Sequence, residues 1–168
     1  HNNNARTIRE RECDQCTATA KSGNRCRNRT CRGTLCWQHL KRDSGLRVKS
    51  SQIAAAGMGL WTTRRFKPNE KIGNYTGERI TKQQMLARYP NNKRGEYVLC
   101  PNNGYCIDGK KTNSSSIRFA NDSKGNSQLK NNAVFKQGSD VLRAGPQGIP
   151  ANREIFVSYG SDYWKGVP

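Results

Sequence analysis

The chain has 168 residues, a length typical of one domain with room for a small appended module. Only 33% of the residues are hydrophobic and the mean hydropathy is −0.97, so we expect a small core and long connections. No run approaches the roughly 18 apolar residues of a membrane span, so we expect a soluble protein with no membrane partner.

The excess of basic residues predicts a polyanionic partner. There are 30 Lys and Arg against 12 Asp and Glu, which gives a formal net charge of +18. Such a charge favours nucleic acid as the partner, and a merely solvated basic surface is the simpler alternative. The basic residues are dense from Arg6 to Lys49 and scattered beyond, which argues against a purely disordered basic tail.

Residues 1–12 are predicted to be a flexible amino terminus, and a cluster of Cys and His follows at residues 13–40. The cluster runs C-x2-C-x9-C-x4-C-x4-C-x2-H from Cys13 to His39. Zinc binds four N or S donors in a tetrahedron, and donors two residues apart suit neighbouring corners. A disulfide framework is the alternative, which the odd total of 7 cysteines disfavours. The spacing therefore predicts a zinc module, with Trp37 expected to cover the metal.

The stretch CTATAKSGNRC…CWQH resembles a small Cys-x9-Cys…Cys-x2-His zinc module that also occurs in viral and protist proteins. The resemblance selects four ligands: Cys16, Cys26, Cys36 and His39. Two further cysteines stay open as alternative ligands, either as replacements or as a second pair: Cys13 and Cys31.

From Leu46 onward the pattern is typical of short strands. Strands are predicted in LRVKSSQIAA, in KIGNYTGERI as a pair around Gly77, in GEYVLC and YCIDG as a hairpin, and in NAVFKQ and REIFVSY. TKQQMLARY predicts one short helix with Thr81 as its N-cap. Long loops are expected at residues 109–131 and 144–152. Cys100 and Cys106 are expected to be core or free thiols. The sum is a mostly-β domain.

Three stretches, in order, resemble the SET-domain family. AAGMGLWTTRRFKPNEKIGNYTGE resembles the family's opening G-x-G, strand and Y-x-G-E turn. IDGKKTNSSSIRFANDS resembles its I-D…R-F-x-N-H-S segment, and REIFVSYGSDYW resembles its closing E-(E/L)-x-x-x-D-Y-G motif. A single G-x-G is frequent by chance, whereas three motifs in the family's order are specific. The resemblance covers about residues 46–164 and leaves 165–168 as a tail.

This resemblance implies the β-clip/SET fold, in which small curved sheets surround a threaded, knot-like loop. It also implies a protein-lysine N-methyltransferase that uses S-adenosyl-L-methionine. Methyl transfer from a sulfonium to an amine needs a neutral amine in line with the donor, so positioning supplies most of the catalysis. A free lysine has a pKa of about 10.4. Burial in a narrow aromatic channel lowers that pKa and favours the neutral amine.

The resemblance also implies roles for individual residues. Tyr159 and Tyr75 match the catalytic tyrosines beside the lysine channel, and Tyr97, Val157 and Tyr163 are expected to line that channel. The implied cofactor-binding residues are Met58, Gly59, Leu60, Trp61, Asn121, Asp122, Tyr159 and Trp164.

Departures from the family pattern lie in NDSKGNSQLKNN. Asp122 stands where the family has His, Lys124 stands where it has Cys, and about five residues are inserted before Asn132. The Asp weakens the expectation of a cofactor contact at that position.

The function predicted from the sequence is methylation of histone lysines, with the basic surface contacting nucleosomal DNA and the protein located in the nucleus, or in a host if it is virally encoded. The alternative is a basic, zinc-containing nucleic-acid-binding protein whose SET-like body is catalytically inactive.

Overall fold

Ten short strands make up most of the regular structure in this computed structural model, which describes residues 13–90, 97–102 and 104–159. The predicted flexible segment 1–12 and the predicted tail 165–168 lie outside the described residues. Within the described part, the architecture is mostly β with two short helices and small antiparallel sheets, which confirms the predicted fold class.

The strands form four antiparallel sheets. The first pairs β1 (Asp14–Gln15) with β2 (Arg29–Thr30), and the second pairs β3 (Leu46–Ser50) with β4 (Met58–Thr62). A third sheet has the order β5 (Lys71–Asn74), β10 (Val141–Ala144), β9 (Ala133–Phe135). The fourth has the order β6 (Glu78–Ile80), β8 (Tyr105–Asp108), β7 (Val98–Asn102).

Two helices lie outside the sheets. Helix α2 (Lys82–Arg88) begins at the predicted N-cap Thr81, whose side chain forms a reciprocal capping box with Gln84. Helix α1 (Trp37–Ser44) ends at Gly45, whose backbone is left-handed. The prediction of a single helix was therefore wrong. The C-x2-H spacing of Cys36 and His39 was interpreted only as metal-ligand spacing, although it is also the spacing of one helical turn. Neither helix is long enough to cross a membrane, and no other described helix is.

Some strand predictions were confirmed and others were wrong. The hairpin of β7 and β8 is present. The expected pair around Gly77 is not, because β5 and β6 join different sheets. Between these strands, Gly77 passes very close to the backbone of Asp108. A side chain at this position would collide with that backbone, so the close approach requires glycine. Strand β10 was missed, since its partners β5 and β9 are remote in the sequence or lie across a turn.

The two cysteines of the β7–β8 hairpin form a disulfide, so the expectation of core or free thiols at Cys100 and Cys106 was wrong. The register explains the pairing. Leu99 lies opposite Ile107, which places the next residue of β7 across from the preceding residue of β8.

One main core lies between the sheets. It gathers apolar side chains from β3, β4, β5, β7, β8, β9, β10 and helix α1, and adds Ile155 and Val157. Its most completely buried large members are Tyr75, Phe66, Leu46, Leu60, Leu99, Leu142, Ile149 and Ile155.

The closing segment, residues 154–157, is threaded between three other parts of the chain. The Ile155 amide donates to the Leu60 carbonyl of β4 at 2.7 Å, and the Val157 amide donates to Asn121 at 2.9 Å. On the other side, the Asn132 backbone amide donates to the Phe156 carbonyl at 2.9 Å. The segment is therefore hydrogen-bonded on more than one side by parts of the chain that are remote in the sequence.

The Asn132 side chain closes this arrangement. Its Nδ2 donates to the Glu154 carbonyl and its Oδ1 accepts from the Phe156 amide, both at 2.9 Å. Asn132→Ala leaves both buried backbone groups without these partners, at about 1–2 kcal/mol each. We therefore expect the free energy of unfolding to fall by about 2–4 kcal/mol, measured by urea denaturation. The control is Asn113→Ala at an exposed position. We call these contacts of Asn132 with residues 154–157 the clamp. A loss for Asn132→Ala no larger than the control's would show that the clamp does not stabilise the fold.

Candidate functional site

Three aromatic rings come together where the threaded segment ends. The ring centroids of Tyr75 and Tyr159 are 6.3 Å apart, those of Tyr75 and Phe135 are 6.2 Å apart, and those of Phe135 and Tyr159 are 5.7 Å apart. Tyr75 packs edge-on against the other two rings. We call these three residues the aromatic cage. Phe135 and Tyr159 line a cavity, whereas Tyr75 is buried behind them, and an aromatic wall of this kind can accommodate an alkylamine.

The Tyr159 hydroxyl is held in place within the protein. It donates a hydrogen bond to the carbonyl of Ala120, which is itself buried. Tyr159 is half-buried and packs against the main core, while Tyr75 is only 1% exposed. The phenol is thus fixed by a backbone contact, which suits a positioning role.

Phe135 was missed by the sequence analysis. It ends β9, and its strand NAVFKQ was predicted correctly, but no motif marks the residue. Its inward direction follows from pairing with Leu142 of β10, which a single sequence does not show.

The other predicted channel residues occupy different places. Tyr97 packs against Phe119, at 5.7 Å between ring centroids, and against the main core. Val157 is fully buried in the main core. Tyr163 lies outside the described residues.

A cavity of about 930 Å³ opens beside the cage, and Phe135 and Tyr159 belong to its wall. Its other walls are β7, β9, the turn 145–148 and the end of the 124–132 loop. The charged residues of the wall are Lys130 and Lys136, and no carboxylate of the described residues lines it. A side chain that entered this cavity would therefore meet two lysines and two aromatic rings.

Two of the predicted cofactor residues contact each other. The Asn121 side chain donates from Nδ2 to the Met58 carbonyl at 3.0 Å, and both residues are half-buried. Because the Asn121 carbonyl also accepts from Val157, the contact ties the start of β4 to the threaded segment. Since Tyr159 bonds to the adjacent Ala120, Met58, Asn121 and the cage form one continuous site.

Gly59 is needed for a reason that differs from the expected close approach to a cofactor. A Cβ at this position would collide with the carboxylate of Glu154. Glu154 is 2% exposed, and its oxygens accept from the Ser51 hydroxyl at 2.6 Å and the Gln52 amide at 2.7 Å. This buried carboxylate holds the loop that leads into β4. The sequence analysis quoted Glu154 in the closing motif and gave it no role.

The remaining predicted cofactor residues differ in their burial and in their contacts. The Leu60 side chain is fully buried in the core. Trp61 lies under the Lys49 ammonium at 4.0 Å, and its buried Nε1 finds no acceptor among the described residues. Such a donor is available to an acceptor atom of a ligand, so the residues present fit a polar cofactor.

The Asp122 carboxylate accepts from the Lys124 amide at 2.9 Å and from Asn131, so it closes the inserted loop. Trp164 lies outside the described residues.

A second site lies in the amino-terminal module. The thiols of Cys16, Cys26 and Cys36 and a ring nitrogen of His39 all lie within 4.8 Å of one another, and all four residues are buried. Individual separations are 4.0 Å from Cys26 Sγ to Cys36 Sγ and 3.3 Å from Cys36 Sγ to His39 Nδ1. A tetrahedral zinc ion with Zn–S bonds of about 2.3 Å sets its sulfur ligands about 3.8 Å apart. The donor set therefore fits zinc in both chemistry and spacing.

Local structure prepares these ligands. Cys36 is the N-cap of helix α1, which places His39 one turn further on the same side. The Cys36 amide donates to Cys16 Sγ at 3.2 Å. Burial raises the pKa of the Cys36 thiol, but hydrogen bonds from the His39 backbone and the Asn28 side chain outweigh it and bring the pKa to about 6. A thiolate is the form that binds metal.

The structure also bears on two other expectations about this module, the alternative ligands and the role of Trp37. Cys13 and Cys31, the alternative ligands, form a disulfide with each other and stand apart from the four-donor cluster. Trp37 does not cover the metal site, because it is 64% exposed, and Leu35 packs against the cluster instead. Trp37 is the first residue of helix α1, so its side chain leaves the helix on the face away from His39.

Removing the metal should unfold the module, because binding free energies of about 10–16 kcal/mol for structural zinc in small peptides are folding free energy. We expect one zinc ion per chain by atomic emission. After chelation we expect hydrogen exchange to become fast in helix α1, and Cys36→Ser should have the same effect. The matched control is Cys13→Ser combined with Cys31→Ser, which should keep the metal. Full metal retention by Cys36→Ser would exclude this ligand set.

A family model described as SET domain matches residues 57–160, more than half of the chain. The matched span runs from the turn before β4, through Asn121 and the threaded segment, to the residue after Tyr159. It thus contains all three rings of the aromatic cage. The chain belongs to the SET-domain family, whose members are generally protein-lysine methyltransferases.

Proposed function

We propose that this protein is an S-adenosyl-L-methionine-dependent protein-lysine N-methyltransferase that acts on histones in nucleosomes. The observation that carries the proposal is the aromatic cage of Tyr75, Phe135 and Tyr159. Phe135 and Tyr159 line a large cavity, and Tyr159 bonds to Ala120, which is adjacent to the Met58–Asn121 contact. The acceptor lysine would enter from the cavity, and the cofactor would lie against Met58, Gly59 and Asn121.

The cage prepares the lysine for transfer. S-adenosyl-L-methionine supplies a methyl group on a positively charged sulfur, and transfer forms a nitrogen–carbon bond as the sulfur–carbon bond breaks. The cage removes water from the lysine ammonium, which lowers its pKa, so the amine releases a proton to solvent and becomes a nucleophile. The fixed Tyr159 phenol limits the directions from which that nitrogen can approach.

Histones are proposed as the substrate because of the net positive charge of the whole protein, and not because of the two lysines that line the cavity. The net charge of +18 favours nucleosomal DNA, and contact with DNA raises the local concentration of histone lysines. A nuclear location follows from that substrate. The supporting result would be transfer of labelled methyl groups to core histones or nucleosomes by pure, zinc-loaded protein.

The alternative, a nucleic-acid-binding protein with an inactive body, is separated by calorimetry. Binding of S-adenosyl-L-methionine together with methyl transfer supports the enzyme. Absence of cofactor binding, with steeply salt-dependent nucleic-acid binding, would select the alternative.

Tyr159→Phe should lower methyl transfer by about 100-fold or more, because it removes a fixed hydroxyl beside the reacting atoms. The ring and its packing against Tyr75 remain, so the folded structure and cofactor affinity should change little. The measurements are initial rates with labelled cofactor, cofactor affinity by calorimetry and the unfolding midpoint. Tyr105→Phe is the control, since that ring lies over Arg79 and outside the cavity wall. Equal activity in both variants would show that the Tyr159 hydroxyl does not contribute to methyl transfer.

The charge of the cavity predicts a preference among peptides. Lys130 and Lys136 are exposed, so at physiological salt each interacts with a substrate charge about 6 Å away by only about 0.3–0.5 kcal/mol, and replacing Glu by Arg reverses both interactions. We expect a lysine peptide flanked by Glu to have a kcat/KM about 5–25-fold higher than the same peptide flanked by Arg, and high salt should narrow the difference.

Combined Lys130→Glu and Lys136→Glu should reverse that order, whereas Lys71→Glu on strand β5 should not. A preference for the Arg-flanked peptide in the wild type would show that these lysines do not set the local specificity, and it would leave the methyltransferase assignment standing.

A further inference from the structure

The exposed indole of Trp37 has no role in the core or in the metal site. At 64% exposure it is the most exposed large apolar side chain of the described residues, ahead of Leu86 at 46%. It directly follows the predicted ligand Cys36, so its position is fixed by the cluster and by helix α1. A rigid, exposed indole is suited to stacking on a planar ligand.

Trp37 belongs to the wall of a second cavity, of about 540 Å³, on the outer face of the module. Arg29 and Arg32 supply the charge of this wall, and no carboxylate of the described residues lines it. The amides of Asn28 and Gln38 add polar groups beside the indole. We call Trp37, Arg29 and Arg32, with these two amides, the module face.

The charge around the module face is strongly one-sided. Residues 13–49 contain nine Lys and Arg, all exposed, against two acidic residues. One of the two, Asp43, is already paired with Arg42 at 2.6 Å. This surface complements a polyanion and would repel a basic protein segment.

The module face is also held rigidly. The Arg29 guanidinium donates to the Cys13 carbonyl at 2.7 Å, and Arg29 pairs with Gln15 across the β1–β2 ladder. The module docks on the body through Arg118, which donates to the Cys31 carbonyl at 3.1 Å. Binding therefore requires little ordering of the protein.

We propose that the module face binds an unpaired strand of nucleic acid, with a base stacked on Trp37 and phosphates contacted by Arg29 and Arg32. An indole face accepts only a base whose own face is free, and successive bases in a duplex cover one another's faces. Exposed arginines next to an aromatic platform are the combination that tracks a single strand. The proposal does not depend on methyl transfer, because it uses the amino-terminal module alone.

The test is fluorescence polarisation of labelled oligonucleotides of about 12 nucleotides, single-stranded DNA and RNA and the matching duplex, over about 50–300 mM salt. The protein is the full zinc-loaded chain. We expect a single strand to bind more tightly than the duplex. Trp37→Ala should weaken that binding by about 5–100-fold, and Trp37→Phe should restore most of it. Arg32→Ala should weaken binding and reduce the slope of log K against log salt by about one.

Leu86→Ala, at the next most exposed apolar residue, is the matched control and should leave binding unchanged. Zinc content and the unfolding midpoint of each variant show whether the module remains folded. Equal affinity of wild type and folded Trp37→Ala would overturn the proposal. A duplex bound as tightly as the single strand, or a labelled poly-Glu peptide that competes at the same charge concentration, would overturn it as well.

Discussion

The backbone contacts of residues 154–157 are the constraint on which the rest of the structure depends. The segment lies between β4, Asn121 and Asn132, and each of these parts donates to it or accepts from it. Tyr159 follows two residues later, so the clamp fixes where its ring can lie. Without the clamp, the cage would rely on three rings from separate elements whose contacts are each worth only about 1 kcal/mol.

A buried carboxylate connects this constraint to the loop before β4. Glu154 occupies the space beside Gly59 and accepts from Ser51 and Gln52, so the threaded segment and the loop before β4 are positioned together. A buried carboxylate is tolerated only when hydrogen bonds replace its lost hydration, and these two charge-assisted bonds do so. The absence of a side chain at Gly59, the second glycine of the G-x-G stretch, thus leaves the space that this carboxylate occupies.

The limits of the sequence analysis follow from the range of the interactions involved. Motifs marked Tyr75, Asn121 and Tyr159, and the structure brings all three to one place because the family's fold requires them in order. Helix α2 was predictable because its capping box is local. Phe135, β10 and the Cys100–Cys106 pairing depend on register between distant or bulged strands, which hydrophobic alternation does not specify. Helix α1 was hidden because ligand spacing and helical spacing coincide at Cys36 and His39.

The metal module and the cage are joined through Arg118. Burial lowers the pKa of its guanidinium, yet arginine remains charged at neutral pH, so this buried cation needs acceptors. It finds them in the carbonyls of Ser114, Ser115 and Cys31, the last of which belongs to the module. Two residues further along, the Ala120 carbonyl receives the Tyr159 hydroxyl. Unfolding the module would remove one acceptor from the turn that orients the phenol, so the folded module supports the cage even though none of the four candidate metal ligands lies in it.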